Sequence, residues 1–220
     1  MTLWYFNIDE FPDEKIQEVL LNLPDYIALE IDRYKFNDDK KCRLISRLLI
    51  QKFVLETTSV WDWENWKRTE MNKPYIKNGP FFNISHSGKI VVVVFSIKSP
   101  IGIDVQEMND IDIRELASFF HESELLFLEK NKFEIDQFYK IWTRKEAFLK
   151  AIGIGFLEGL DNFNVLTDSI NHNMSWYWDE FQLVENYKFC ICSANQINKI
   201  SRTQIDYNTL NKFINEKIFI

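Results

Sequence analysis

Glycine, proline, cysteine and histidine are all scarce in this chain of 220 residues, at 6, 5, 3 and 3 copies. So little Gly and Pro excludes collagen-like and low-complexity architectures. Three cysteines, Cys42, Cys190 and Cys192, form no disulfide framework and suit a reducing compartment. Cys190 and Cys192 alternate within Tyr187–Ala194 and would share one strand face, as buried packing rather than a zinc site, because no further ligands stand nearby in sequence. A basic excess is missing as well. With 26 Lys and Arg against 33 Asp and Glu the net charge is −7, which argues against nucleic-acid binding as the main role. Any anionic ligand must be held by a local basic cluster working against that global charge. The longest apolar run, Ile90 to Phe95, is too short to cross a bilayer, and the first ten residues lack the basic and apolar regions of a signal peptide. A soluble, cytoplasmic protein is expected. There is no phosphate-cradling P-loop, no G-x-G-x-x-G and no fixed-period repeat.

What is present is apolar bulk: 46% hydrophobic and 15% aromatic residues, enough for one sizeable core or two small fused ones. Leu3–Ile8, Phe81–Ile84, Ile90–Ile97, Ile101–Val105, Phe163–Leu166, Met174–Trp178, Phe181–Glu185 and Tyr187–Ala194 read as strands. Asp13–Leu23, Asp38–Thr57, Ile111–Phe120, Glu122–Lys130, Asp136–Ile152 and Asn208–Glu216 read as helices, the fifth stopped by Gly153 and Gly155. Asn72–Pro80 reads as a loop and Ser85–Lys89 as a turn. Trp61–Thr69, aromatic and charged, takes no assignment. Strands and helices that mix without strict alternation predict an α+β fold. Phe82-Asn83-Ile84 is faintly echoed by Phe163-Asn164-Val165.

Three segments could carry chemistry. In Trp142–Lys150, Trp142, Glu146 and Lys150 stand four residues apart and share one helix face. Such a mixed stripe suits a site lining, although a Glu–Lys pair at this spacing also supports ordinary exposed helices. In Ile101–Gln106, period two puts Gly102, Asp104 and Gln106 on one face. Asp104 and Gln106, with room left by Gly102 and a second carboxylate from Glu146, make a plausible oxygen-ligand magnesium site; the plain alternative is an Asp that ends a strand. In Asn83–Gly88, adjacent Ser85 and His86 point opposite ways on an extended chain and make no nucleophile–base pair. They read either as donors to an anion or as parts of a hydrogen-bonded turn. Arg43, Lys73, Lys89, Lys145 and Lys150 are the bases outside runs, each a surface residue when taken singly; His121 and His172 read as structural.

These pieces, in order, resemble the 4′-phosphopantetheinyl transferases: Asn72-Lys73-Pro74, Phe82–Ser87, Ile101–Val105 and Trp142–Lys150. The length is similar to the type in which two similar halves are fused in one chain. The resemblance implies two pseudo-twofold-related α/β halves, here 1–102 and 103–220, with the active site between them, and favours a monomer. It implies transfer of 4′-phosphopantetheine from coenzyme A to a serine of an apo acyl or peptidyl carrier protein, releasing adenosine 3′,5′-bisphosphate. Asp104, Gln106 and Glu146 would then hold Mg2+; Glu146 would activate the carrier serine and Lys150 would contact a phosphate. Arg43, Lys73, Ser85, His86, Lys145 and Lys150 would contact coenzyme A, and Asp104, Glu146, Lys150 and His86 would form the catalytic set. Many members carry a Glu where this chain has Gln106, which keeps an oxygen and removes a charge. The carrier would dock beside the site, against about 111–132.

Overall fold

The computed structural model describes residues 1–155 and 159–218. The chain opens with β1 (Thr2–Asn7), α1 (Glu14–Leu20), α2 (Asp25–Asp32) and α3 (Asn37–Thr58), followed by β2 (Trp66–Arg68), β3 (Pro74–Ile76), β4 (Phe81–Ser87) and β5 (Ile90–Ser96). It continues with β6 (Ile101–Glu107), α4 (Ile113–Ala117), α5 (Glu122–Lys130) and α6 (Ile135–Ile152), and closes with β7 (Ser169–His172), β8 (Met174–Phe181), β9 (Tyr187–Ser193), β10 (Ser201–Gln204) and α7 (Tyr207–Lys217). No helix among the described residues is long and apolar enough to cross a membrane.

The expected α+β fold is built on one plan used twice. In the first half a strand, a long helix and a hairpin (β1, α3, β4, β5) form a sheet ordered β10-β1-β5-β4. In the second, β6, α6, β8 and β9 repeat that plan in a sheet ordered β6-β9-β8-β7. In each, the first strand pairs antiparallel with the last strand of the hairpin. The repeat explains the apolar run in β5, which is buried on both faces. Val91, Val93 and Phe95 pack under α3, while Ile90, Val92 and Val94 meet Ile101, Ile103 and Val105 of β6 in a core between the sheets. A third core lies between α6 and the second sheet. The tail of the chain returns to the first half: β10 runs parallel beside β1, and Leu210, Phe213 and Ile214 of α7 enter the first core.

Several expectations are corrected. Asn72–Pro80 is not all loop, because Pro74 opens β3, which pairs with β2; proline is tolerated as the first residue of a strand. The Ser85–Lys89 turn begins later: β4 runs to Ser87, and Gly88, at φ +50°, makes the turn. Ile111–Phe120 is helical only over α4. Phe163–Leu166 is not a strand. Its backbone groups are satisfied by helix side chains instead, Glu124 accepting from the Val165 N–H at 2.8 Å and Arg144 and Lys145 donating to the carbonyls of Val165 and Phe163 at 2.6 Å. The echo with Phe82-Asn83-Ile84 therefore joins a strand to an irregular segment. Met174–Trp178 extends through Asp179 and Glu180, which pair with Arg202 and Arg144, to end β8 at Phe181; the strand expected over Phe181–Glu185 is absent, because residues 182–186 turn the chain into β9. α2, β7 and β10 are additional; β10 is polar and exposed, so nothing in its pattern announces a strand.

Candidate functional site

The two sheets meet through a ladder of side chains. β6 offers the backbone N–H groups of Ile103, Val105 and Glu107, and these donate to Asn83 Oδ1 at 2.9 Å, Ser85 Oγ at 3.2 Å and Ser87 Oγ at 3.0 Å. The period-two match fixes the register of β6 on β4 and sets Asp104 beside Ser85, whose hydroxyl donates to Asp104 Oδ1 at 2.9 Å. Gly102 then brings α6 down. A Cβ at this position would lie 2.0 Å from the carbonyl oxygen of Ala147 and 2.5 Å from the nitrogen of Ala151, so only glycine lets the helix lie directly on the strand. The room expected there for a ligand is filled by the helix.

That contact delivers the charged stripe. Lys150 Nζ stands 2.5 Å from Asp104 Oδ1 and donates to Ser85 Oγ at 3.0 Å, and Gln106 Nε2 donates to Asp104 Oδ2 at 3.0 Å. Both oxygens of the fully buried Asp104 are thus held. Glu146 is the opposite case: it is buried, and its Oε1 has no hydrogen-bond partner. Burial pushes its carboxyl up to about 7, with Asp104 adding to the shift and Lys150 opposing it. His86 is pushed down to about 4 by burial, with Arg43 and Lys150 acting in the same direction, so its ring is neutral near pH 7.

These residues form one wall of a cleft of about 400 Å³ between the halves, and Trp142 lines it too. The facing wall is basic. Arg43 and Arg47 stand one turn apart on α3, and Arg68 comes from β2. Glu30 binds both Arg47, at 2.9 Å, and Arg68; Arg47 lies over the Trp66 ring at 5.5 Å. The Nε of Arg47 and the Nε1 of Trp66 are buried without hydrogen-bond partners. Against a net charge of −7, this is the local basic cluster an anion needs. Arg47 and Arg68 were not among the residues singled out from sequence. Arg47 had a signal, four residues after Arg43 on the same helix face.

The structure brings Arg43, Ser85, His86, Asp104, Gln106, Glu146 and Lys150 to the cleft. Two expected residues lie elsewhere. Lys145 is fully buried, with its Nζ 2.7 Å from Glu124 Oε2 and donating at 2.6 Å to the carbonyls of Leu160 and Phe163, so it has no N–H left for a phosphate. Lys73 points away from the cleft and donates to the carbonyls of Lys150 and Ala151. Ser85, read as an anion donor, is engaged with Asp104, Lys150 and the Val105 N–H.

Among the described residues no group of three or more His, Cys, Asp or Glu side chains surrounds a metal position. Two carboxylates and an amide converge instead, one carboxylate keeping an orphaned buried oxygen and a raised pKa. A dication that asks for only one or two protein carboxylates fits such a donor set. The arrangement can hold an anion between opposed walls, accept a proton at Glu146 and place a cation at Lys150 beside it.

Comparison with known proteins points the same way. Residues 100–194 match the family described as "4'-phosphopantetheinyl transferase superfamily", and residues 13–98 match "4'-phosphopantetheinyl transferase, N-terminal". The chain is 30% identical over 190 residues to 4'-phosphopantetheinyl transferase gsp of Aneurinibacillus migulanus, covering 81% of this chain and 79% of that protein. It is 30% identical over 183 residues to 4'-phosphopantetheinyl transferase Sfp of Bacillus subtilis (strain 168), covering 76% and 78%. Identity to the L-aminoadipate-semialdehyde dehydrogenase-phosphopantetheinyl transferase of Mus musculus is 32% over 143 residues, covering 57% and 46%.

Proposed function

The chain belongs to the 4′-phosphopantetheinyl transferase superfamily, and from that premise we propose that its cleft moves the 4′-phosphopantetheine group of coenzyme A onto a serine hydroxyl of an apo acyl or peptidyl carrier protein. One observation carries the reading: a buried carboxyl with a free oxygen and a pKa near 7 sits beside Lys150, across a cleft from three arginines. Coenzyme A brings a pyrophosphate and a 3′-phosphate, and Arg43, Arg47, Arg68 and Lys150 supply the positive charge to seat them. Glu146 Oε1 takes the proton of the carrier serine, for which a base poised near the working pH is well matched. The serine oxygen bonds to the phosphorus that carries pantetheine. The bridging P–O bond breaks, and its electron pair leaves with adenosine 3′,5′-bisphosphate. Lys150 stabilises charge on the phosphoryl oxygens in that passage. His86, neutral, serves as a hydrogen-bond donor rather than a cation.

Asp104 and Glu146, with Gln106 directly or through water, would hold Mg2+, which when bound supplies positive charge to the pyrophosphate. Gln106 keeps Asp104 Oδ2 in place through its amide nitrogen, leaving its oxygen as the atom available to an ion. Phe119, 61% exposed just after α4, and Leu126, 48% exposed in the middle of α5, support docking of an amphipathic carrier helix on this segment. One chain completes the cleft, which favours a monomer, and three free cysteines favour a cytoplasmic setting.

The test is an incubation of the chain with coenzyme A, Mg2+ and an apo carrier domain, read by intact mass. A carrier heavier by one phosphopantetheine supports the reading. Free phosphopantetheine with an unmodified carrier would show hydrolysis instead, and no change would show binding alone; either result overturns transfer.

A further inference from the structure

The hairpin β2–β3 is only three residues per strand, and a two-stranded hairpin of that size is marginal unless something anchors it. Yet it carries Arg68 and Trp66 into the basic wall of the cleft. Its tip is tightly wound: Thr69 N–H donates to the Lys73 carbonyl at 2.9 Å, Lys73 N–H to Thr69 Oγ1 at 3.1 Å, and Asn72 adopts φ +61°. This turn aims Lys73 at the other half of the molecule, where its Nζ donates to the carbonyls of Lys150, at 2.5 Å, and Ala151, at 3.0 Å. Those are orphan carbonyls of the last turn of α6, where a cation also opposes the negative end of the helix. Gly153 ends that helix at φ +80°, and a Cβ there would come within 3.2 Å of Lys73 Cδ. No carboxylate lies among the hydrogen-bond or ion-pair partners of the ammonium among the described residues, so its contacts are spent on the helix end.

We propose that Lys73 is a positioning residue: a clasp that ties the basic-wall hairpin to the end of α6 and acts on the reaction through Lys150 and Glu146, rather than through contact with coenzyme A. The backbone it holds belongs to Lys150 itself, and Glu146 stands one turn earlier on the same helix. Burial lowers the ammonium to about 8, as a cation held by carbonyls alone would show.

The test compares wild type with Lys73→Met, which keeps length without donors, and Lys73→Arg, which restores them. Amide hydrogen exchange is read first on the protein without coenzyme A. The expected result is exchange at least about tenfold faster in Lys73→Met over both 66–76 and 149–153, with Lys73→Arg close to wild type. Carrier modification is read second, and only this part rests on the transferase reading: kcat falls about tenfold or more in Lys73→Met and recovers in Lys73→Arg. Unchanged exchange in the ligand-free protein overturns the clasp whatever the rates do. So does a tenfold rise in KM for coenzyme A at unchanged kcat, which would make Lys73 a phosphate ligand.

Discussion

Two lysines five residues apart on α6 meet buried carboxylates in opposite ways. Lys145 is sealed: its three N–H groups go to Glu124 and two carbonyls, while Glu124 also accepts from the N–H groups of His121 and Val165. Burial lowers Lys145 and raises Glu124, and each partner opposes the other's shift. Lys150 is 29% exposed at its side chain, engages Asp104 and Ser85, and opens onto a cleft where Glu146 keeps an unpartnered oxygen. A saturated pair fastens α5, α6 and the 160–165 segment into one unit. An unsaturated group of charges is held ready for a ligand. The same helix therefore serves as a fastener at one turn and as a wall of the cleft at the next.

Breaking the sealed pair has the largest expected effect. Lys145→Met should cost about 3–5 kcal/mol, because it strands a buried carboxylate; the drop in unfolding midpoint under denaturant measures it. Lys150→Met should lower carrier modification by about 10²–10³-fold, typical of losing one group that stabilises developing charge, with a smaller loss of stability than Lys145→Met. If the two variants lost stability equally, the contrast between fastener and site would fail.

Proton linkage sharpens the comparison further. The raised pKa of Glu146, from 4.5 to about 7, means that its contribution to stability is full below about 4.5 and is lost as pH rises through 7. Glu146→Gln should thus gain on wild type over that window, by about 3 kcal/mol. His86, lowered from 6.5 to about 4, acts oppositely: its contribution is present above 6.5 and lost as pH falls through 4. Unfolding midpoints of His86→Gln and wild type should converge at neutral pH and separate in acid, wild type being the weaker there. The smallest effect concerns position 106. Gln106→Glu should reduce the magnesium concentration for half-maximal rate about threefold, since ligand charge tunes affinity; an unchanged requirement would mean that the side chain does not touch the ion.

The legible parts of this site are those set by a simple period. Asp104 and Gln106 share a face because strands alternate, and Glu146 and Lys150 share one because helices turn every 3.6 residues. Gly102 stood out too, but its tenant, α6, is a tertiary fact. What escaped the sequence depends on distant partners. Glu124 lies 21 positions before Lys145, and the carbonyls that fill Lys145 belong to a segment whose apolar pattern reads as a strand. The contact of Lys73 with the end of α6 has no sequence signal, because its partners are backbone carbonyls, which carry no residue signature. Arg68 lies where short strands and an aromatic cluster gave no periodicity. The fold was legible where core strands are long and apolar, as in β5, and not where pairing is made by polar edges, as in β10.

Glu146→Gln tests the central claim most directly, because this side chain has no structural bond at Oε1 to lose. The rate at which the variant loads an apo carrier from coenzyme A, read by intact mass at pH 7.5, should fall about hundredfold or more while its unfolding midpoint stays equal or rises. A variant that still loads the carrier within a few-fold of the wild-type rate would contradict the account.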